Sequence, residues 1–182
     1  MERFKTAMSV TQTQREFRSA LSQFATGVAV ITARGEAGAP IGMTMSSFNS
    51  VSLDPPLVLF SVDRRALSLP AMQAAEGYAV NILSRGQEQL SNQFAKASTD
   101  KWADVAHSVG HAEAPLLAGA LAHFECAPYA QYDGGDHVIF VGRVVRFSAR
   151  DDDEPLLFFR GKYQSLRREA ASEPMWPLPI HY

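Results

Sequence analysis

The sequence predicts a mainly β protein, an antiparallel barrel of Greek-key type with a few short helices packed around it. Three observations support this fold class. Several runs rich in β-branched and aromatic residues are separated by turn signals, as strands in all-β proteins are. Helical spacing of apolar residues is confined to short segments. Strands and helices do not alternate regularly, which argues against a parallel α/β sheet and favours an antiparallel barrel.

Length and composition are those of an ordinary globular protein. The chain has 182 residues, of which 46% are hydrophobic and 20% are charged. A chain of this length buries roughly 70% of the surface that its unfolded form exposes, so a core of normal size is feasible. We expect one domain over residues 14–165, preceded by an N-terminal extension (1–13) and followed by an irregular, proline-containing tail (166–182).

Charge and cysteine content exclude several function classes. The net charge of −2 gives no electrostatic attraction toward nucleic acid or an anionic membrane. Cys126 is the single cysteine, so the chain can form neither an internal disulfide nor a multi-cysteine metal site. No secretory signal is visible, and no apolar run approaches the roughly 20 residues of a membrane span. We therefore expect a cytoplasmic protein that binds neither nucleic acid nor membranes.

A first helix is predicted over residues 13–24. Thr13 and Glu16 have the spacing of a capping box, in which each side chain satisfies a main-chain amide of the other residue. The apolar residues of this segment fall at helical spacing, which predicts that they pack in the core. The large ones are Phe17, Leu21 and Phe24.

The remaining elements are mostly strands. The predicted strands cover residues 28–32, 57–62, 78–83, 120–131, 137–149 and 156–159. Two further helices are predicted, one over 66–75 and one that begins at a capping box of Ser84 and Gln87. Residues 132–136 read YDGGD, a strong hairpin signal between the two longest strands. The polar stretch 96–114 is predicted to run over the surface.

Several catalytic motifs are absent from the sequence. It contains no G-x-G-x-x-G, no P-loop and no G-x-S-x-G nucleophile elbow. His107 and His111 are spaced four residues apart, but they lie in a polar stretch without a helical face, which is more typical of solvated histidines than of metal ligands. These absences disfavour hydrolytic and metal-dependent chemistry, and we expect no metal site.

The segment GMTMSSFNSVSLDPP, residues 42–56, is rich in hydroxyl groups. Five of the nine residues from 44 to 52 are Ser or Thr. Hydroxyls and free main-chain N–H groups in a loop can hold a phosphate without a basic cluster. Serine and threonine are also common at strand edges, so an ordinary structural role stays open. Phe48 and Val51 predict partial burial, and Pro55 and Pro56 stiffen the connection to the next strand, which favours a binding role.

Five segments, taken together and in order, carry a resemblance to a known family. They are ATGVAVITA (25–33), GMTMSSFNSVSLDPPLVLFSV (42–62), YAVNILS (78–84), NQFA (92–95) and GGDHVIFVGRV (134–144). The chain resembles the short-chain flavin reductase family, the reductase components of two-component flavin-dependent monooxygenases. The resemblance spans roughly residues 17–163, most of the chain.

The resemblance implies a flavin-binding split β-barrel that forms a homodimer, with flavin near the subunit interface. It implies reduction of FMN or FAD by NADH or NADPH, after which the reduced flavin passes to a separate monooxygenase. NADH is favoured, because no basic cluster next to the expected nicotinamide side suggests a pocket for a 2′-phosphate. Two alternatives stay open: a flavin store or sensor on the same barrel, and an oxidase of the pyridoxamine-phosphate-oxidase type.

The resemblance also implies which residues contact the flavin. In the hydroxyl-rich segment they are Thr44, Met45, Ser46, Ser47, Ser50, Val51 and Ser52. Farther along the chain they are Ser61, Phe94, Ala95 and Lys101, with Lys101 near the phosphate. Where the family often has Lys-Ser-Ser/Thr, this chain reads RRALS (64–68), and the best candidates there are Arg65 and Ser68.

His137 is the predicted residue on the nicotinamide side. It follows a Gly-Gly turn and begins a strand, which by itself is also compatible with an ordinary surface histidine. The GDH match of the resemblance assigns it a positioning role beside the nicotinamide, and hydride transfer does not require a general base. Asp136 is expected to be a turn residue, Cys126 to be buried as a small apolar group, and Asn81 to be either a buried hydrogen-bonding residue or a cofactor contact.

Overall fold

The computed structural model describes residues 10–35, 38–97 and 100–166. In this part of the chain there are twelve β-strands and three α-helices. The strands are β1 (Thr26–Gly27), β2 (Ala29–Arg34), β3 (Pro40–Met45), β4 (Asn49–Leu53), β5 (Pro56–Asp63), β6 (Tyr78–Ile82), β7 (His107–Val109), β8 (Pro115–Leu117), β9 (Ala122–Gly134), β10 (His137–Ala149), β11 (Leu157–Phe159) and β12 (Lys162–Gln164). The helices are α1 (Val10–Leu21), α2 (Leu69–Ala74) and α3 (Glu88–Ala95).

Seven strands form one antiparallel sheet in the order β3-β2-β6-β9-β10-β5-β4. The two edge strands, β3 and β4, are consecutive in the chain although they lie at opposite ends of the strand order. A three-residue connection, 46–48, therefore joins the two edges of the sheet and curves it toward a barrel. This architecture confirms the predicted mainly β, antiparallel fold, and it places the hydroxyl-rich segment at the opening between the two edges.

The β9–β10 hairpin is the longest pairing in the sheet. Its ladder begins at the pair Gly134–His137, so the turn consists of Gly135 and Asp136. Gly135 has a φ of 75°, a conformation that glycine adopts at little cost and other residues avoid. The predicted hairpin is thus confirmed, with a turn shorter than the YDGGD segment that indicated it.

Strand β2 is buried on both faces and separates two apolar clusters. Ile31 points into the barrel, where the rings of Phe60 and Phe140 stack 5.2 Å apart and Tyr78 meets both edge-on. Val30 points the other way, into a cluster that includes Phe94 of α3. Because successive side chains of a strand alternate between faces, one short strand anchors both clusters. Helix α3 is thereby fixed against the sheet.

Two buried polar groups have structural roles. Asn81 donates from Nδ2 to the main-chain carbonyl of Val30 at 3.0 Å and accepts from the main-chain N–H of Leu117 at 2.8 Å. The structure therefore places Asn81 inside the fold as a buried hydrogen-bonding residue. The thiol of Cys126 is buried, as predicted, and burial raises its pKa to about 12. A thiol with such a pKa is unreactive at neutral pH.

The prediction for the first helix was wrong in two respects. Helix α1 begins at Val10, so Thr13 lies within it and not at its N-cap. Phe17, Leu21 and Phe24, expected in the core, are 63%, 57% and 76% exposed. Helical spacing identifies an apolar face, but it does not say whether the same chain covers that face. The segment is held through its end, where the main-chain N–H of Arg160 donates to the carbonyl of Ser22 at 3.1 Å.

The other predicted elements are confirmed within a few residues, and several strands were missed. The Ser84–Gln87 box is present, since the main-chain N–H of Ser84 donates to Gln87 Oε1 at 3.0 Å. The missed strands are β1, β3, β4, β7, β8 and β12. The described residues of the polar stretch 96–114 lie mostly at the surface as expected, although they include β7 and the buried Ala114. The N-terminal extension before residue 10 and the tail after 166 lie outside the described residues, and the domain boundaries stay predictions.

No described helix is both long enough and apolar enough to cross a membrane.

Candidate active site

A cavity of about 790 Å³ opens beside the edge strand β3. Its walls are β3 and the connection after it, the end of β5, the end of α3 and the first residue of β10. Ten of the predicted site residues line it. They are Thr44, Met45, Ser46, Ser47, Ser61, Ser68, Phe94, Ala95, Lys101 and His137. The structure therefore brings together segments that are up to 93 positions apart in the sequence.

Four predicted residues lie outside the lining of this cavity. Ser50, Val51 and Ser52 are on β4, where a bulge at Val51 interrupts the pairing with β5. Arg65 follows β5, and its guanidinium pairs with the carboxylate of Asp63 at 2.8 Å. Their flavin contacts stay predictions. These four residues are close in sequence to residues that line the cavity, but they do not line it themselves.

The hydroxyl of Thr44 connects β3 to helix α3, whose last residues line the cavity. It donates to the main-chain carbonyl of Ser91 on α3 at 2.6 Å. The hydroxyl of Ser91 lies 2.8 Å from the phenol oxygen of Tyr163, which donates to Asn92 Oδ1 at 3.1 Å. Strand β3, helix α3 and strand β12 are therefore joined by side-chain hydrogen bonds, which fix the spacing of the walls.

Ser47 joins the 46–48 connection to strand β5. Its hydroxyl oxygen accepts from the main-chain N–H of Ser61 at 3.0 Å, and its proton can be donated to the Ser61 carbonyl at 3.3 Å. Ser46, its neighbour, is exposed and its side chain makes no hydrogen bond within the part of the chain that the structure describes. Of the two serines, Ser46 has the hydroxyl more available to a ligand.

The end of the cavity next to α3 depends on a glycine. A Cβ atom at Gly42 would overlap the ring of Phe94 and approach Trp102 to 3.2 Å. The rings of Phe94 and Trp102 meet edge-on with 4.9 Å between centroids. Only a residue without a side chain allows β3 to pass this close to α3. Sequence reasoning missed Gly42 and Trp102 as lining residues, because no local pattern links them.

Lys101 supplies a cation at the same end. Its ammonium donates to the main-chain carbonyls of Phe94 at 3.1 Å and Gly42 at 3.3 Å. Carbonyl groups satisfy hydrogen bonds but do not neutralise the charge, and partial burial lowers the pKa of the lysine. A partly desolvated ammonium without a carboxylate partner in these contacts is suited to an anionic ligand.

His137 stands at the opposite end, among carboxylates. It is paired with Asp63 across β10 and β5, and its Nδ1 lies 2.7 Å from Asp136 Oδ1. A carboxylate only accepts hydrogen bonds, so Nδ1 carries the proton in this contact. Hydrogen bonds from the Arg65 side chain and main chain hold the pKa of Asp63 well below its usual range. Asp63 is thus ionised beside the imidazole.

The donor set fits a flavin. Neutral hydroxyls and main-chain groups of β3 line the middle of the cavity, an ammonium lies at one end and an imidazole at the other. Flavin mononucleotide combines a planar, hydrogen-bonding ring with a phosphate, which are the features that these groups can bind. Among the described residues, no group of three or more His, Cys, Asp or Glu side chains could hold a metal ion.

Barrel and cavity together define a flavin-binding reductase of the split-barrel class. The chain belongs to the flavin reductase like domain family, whose model matches residues 21–167. It is 42% identical over 158 residues to the FMN reductase (NADH) SmoA of Agrobacterium fabrum, covering 87% of this chain and 89% of that protein. It is 36% identical over 162 residues to HsaB, the reductase subunit of a flavin-dependent monooxygenase of Rhodococcus jostii, covering 89% and 83%.

Solved structures agree with the sequence comparisons. The NADH:FAD oxidoreductase SgcE6 of Streptomyces globisporus, in complex with NAD and FAD fragments, superimposes with a TM-score of 0.83 at 38% identity. The match covers 91% of this chain and all of the other. The predicted family and fold are therefore confirmed, and reductase function is supported over the storage alternative.

Proposed function

We propose that the protein transfers a hydride from NADH to FMN or FAD bound in the cavity, and releases the reduced flavin to a separate monooxygenase. One observation carries this proposal: the hydroxyl groups at the end of β3 and in the connection after it line the same cavity as the imidazole of His137. The first is suited to the flavin and the second to the nicotinamide. The flavin supplies the hydride acceptor when bound, so the protein needs no acid–base triad.

The residues on the flavin side of the cavity bind and orient the flavin. Ser46 and the main-chain groups of residues 44–47 are the neutral donors that can bind the flavin, and Lys101 supplies the positive charge for a phosphate. Phe94 and Trp102 close the end of the cavity with an apolar wall. We assign flavin contacts also to Ser61 and Ser68, which lie on the lining, and keep Ser50, Val51, Ser52 and Arg65 as predicted contacts.

His137 positions the nicotinamide. With its Nδ1 proton directed to Asp136, the imidazole in its neutral form presents Nε2 as an acceptor. The amide N–H of a nicotinamide carboxamide is a matching donor. At this end the carboxylates of Asp63, Asp133 and Asp136 outnumber the guanidinium groups of Arg64 and Arg65. No surplus of positive charge is therefore available for a 2′-phosphate, which supports NADH over NADPH.

Partner and assembly follow the same proposal. Relatives such as HsaB are reductase subunits of flavin-dependent monooxygenases, and we propose a monooxygenase partner for this chain as well. A homodimer is supported by the large apolar side chains that the single described chain leaves exposed, among them Phe24 and Phe147. The cytoplasmic location stays a prediction.

Steady-state oxidation of NADH tests the function directly. The purified protein is mixed with NADH and an excess of FMN or FAD, and the nicotinamide absorbance is followed in the absence of oxygen. We expect many turnovers per protein, with NADPH a poorer donor. Stoichiometric binding of flavin without consumption of either nicotinamide would instead support the storage alternative and overturn the proposal.

A further inference from the structure

Arg64, which does not line the cavity, spans the turn that precedes His137. Its main-chain N–H donates to the Asp136 carbonyl at 3.0 Å, and its Nε donates to the Gly135 carbonyl at 2.8 Å. Its Nη2 lies 3.1 Å from Asp133 Oδ1. One residue thus makes three contacts with a turn of the β9–β10 hairpin that lies about 70 positions farther along the chain.

The turn lies beyond the last ladder pair of β5 and β10. The pairing between those strands ends at Asp63 and His137, so Gly135 and Asp136 receive no support from the β5 ladder. Asp133 adds one internal bond, because its Oδ1 accepts from the Gly135 N–H at 2.8 Å. Arg64 is therefore the contact that ties this turn to the neighbouring strand.

The imidazole of His137 depends on the same turn. Its Nδ1 is held by the side chain of Asp136, and Asp136 directly follows Gly135, whose carbonyl accepts from the Arg64 side chain. A planar guanidinium can contact Gly135 and Asp133 at once, because its donors are fixed in a fork. The adjacent Arg65 does not contribute, since its guanidinium is paired with Asp63.

We infer that Arg64 is a positioning residue, which fixes the turn of Gly135 and Asp136 and through it orients His137 for the nicotinamide. This inference rests on the proposed function. Holding a reacting partner in a defined orientation lowers the entropy cost of productive binding. Arg64 therefore affects how NADH binds and is oriented. The flavin end of the cavity, formed by β3 and α3, does not depend on Arg64.

The test compares Arg64→Ala and Arg64→Lys with wild type and with Arg85→Ala. Arg85 is a matched control, an exposed arginine whose guanidinium pairs with Glu154 at 3.1 Å away from the turn. We expect Arg64→Ala to raise the KM for NADH about tenfold, with the flavin KM unchanged. Arg64→Lys keeps the charge without the fork, so the NADH KM stays raised. Arg85→Ala leaves both constants unchanged.

A double-mutant cycle separates positioning from direct contact. If Arg64 acts through His137, adding Arg64→Ala to His137→Ala raises the NADH KM by less than about twofold. The same tenfold increase in that background would overturn the inference, as would a change in the flavin KM alone or no change at all.

Hydrogen exchange gives a readout that does not depend on turnover. In Arg64→Ala, the amides of residues 133–137, the turn and the strand ends beside it, are expected to exchange faster than in wild type, and those of β3 at an unchanged rate. Unchanged exchange at the turn overturns the inference even if the wild-type protein reduces flavin. A wild type that never oxidises NADH refutes the proposed function, and exchange then still decides whether Arg64 holds the turn.

Discussion

The hydroxyl of Thr44 lies 2.6 Å from the main-chain oxygen of Ser91, and this bond joins the edge of the barrel to helix α3. Between these two elements lies the proposed flavin cavity. The hydrogen-bonded connection continues through the hydroxyls of Ser91 and Tyr163 to β12. The cavity is therefore shaped by hydrogen bonds within the protein as well as by apolar packing.

Replacing Thr44 with valine tests this connection. The change keeps the shape of the side chain but removes the donor to Ser91, and we expect a loss of about 1 kcal/mol in the free energy of unfolding. The Kd for FMN should rise, because the walls lose their fixed spacing. Thr44→Ser keeps the hydroxyl and should retain most of both properties. Urea denaturation and flavin fluorescence measure the two effects, and equal behaviour of the two variants would contradict the role of the bond.

Replacing Gly42 with alanine should damage the end of the cavity beside α3. The new methyl group would overlap the Phe94 ring, and overpacking of this kind costs about 1–3 kcal/mol. Flavin affinity should fall at the same time. Gly86→Ala is the matched control, because a Cβ there meets nothing within 4 Å. Thermal unfolding that fails to distinguish the two variants would show that the close approach is unimportant.

Removing the charge of Lys101 should weaken binding of the phosphate only. For Lys101→Met we expect a higher Kd for FMN and a nearly unchanged Kd for riboflavin, which lacks the phosphate. Lys162→Met, at an exposed position of β12, serves as the control. A parallel loss of riboflavin affinity would mean that Lys101 supports the fold of the cavity and does not contact the phosphate.

The same lysine predicts a pH dependence. Burial lowers the pKa of Lys101 below its usual value of 10.5, so its ammonium loses the proton at a lower pH than an exposed lysine does. FMN affinity should therefore start to decline on the alkaline side before exposed lysines titrate. In Lys101→Met this decline should be absent. A wild-type titration that matches the variant would contradict the assignment.

Glu125 predicts acid sensitivity of the fold. Hydrogen bonds from Arg146, at 2.6 Å, and from the His111 N–H hold the pKa of this buried carboxyl below its usual value of 4.5. The stabilisation is complete above that usual value and is lost as the pH falls through the lower folded value. Glu125→Gln should lower the urea midpoint at pH 7, and the difference from wild type should shrink in acid. A constant difference would contradict this account.

Phe147 predicts the position of the subunit interface. It is 71% exposed, and its ring lies 6.5 Å from Phe124, which lies 5.6 Å from Phe48 beside the flavin segment. Phe147→Ser should shift the protein from dimer to monomer in sedimentation, while the far-UV circular dichroism spectrum of the folded chain is retained. Phe24→Ser, on the exposed face of the α1 segment, is the comparison. Dissociation by Phe24→Ser alone would place the interface at α1, and a monomeric wild type would refute the dimer.

Strands with predominantly apolar runs could be predicted from the sequence, whereas the cavity edge could not. Residues 57–62 and 78–83 are buried on a sheet and carry the expected pattern. Strands β3 and β4 lie at the sheet edges. In β4 serines replace the apolar alternation that indicates a strand, whereas β3 does alternate, with Ile41, Met43 and Met45 packed on the core, but includes Pro40 and Gly42, which are unfavourable in strands. The family resemblance identified residues 42–56 as a flavin-binding segment, but it did not predict that parts of this segment belong to β3 and β4.

Long-range contacts account for the site residues that were missed. Lys101 and Gly42 are 59 positions apart, and Arg64 and Gly135 are 71 positions apart. Two adjacent arginines look equivalent in the sequence, and only the folded turn distinguishes the one that spans it. Similarly, the spacing of Phe17 and Leu21 defines a helix face but cannot identify its covering surface.

The hydroxyls of Thr44 and Ser47 direct their protons to the protein's own carbonyl groups. A flavin ring that binds in the cavity therefore gains fewer new hydrogen bonds than the number of hydroxyls suggests. Such a pocket favours exchange over retention, so that flavin enters and leaves with each catalytic cycle, as a protein that hands its product to another enzyme requires.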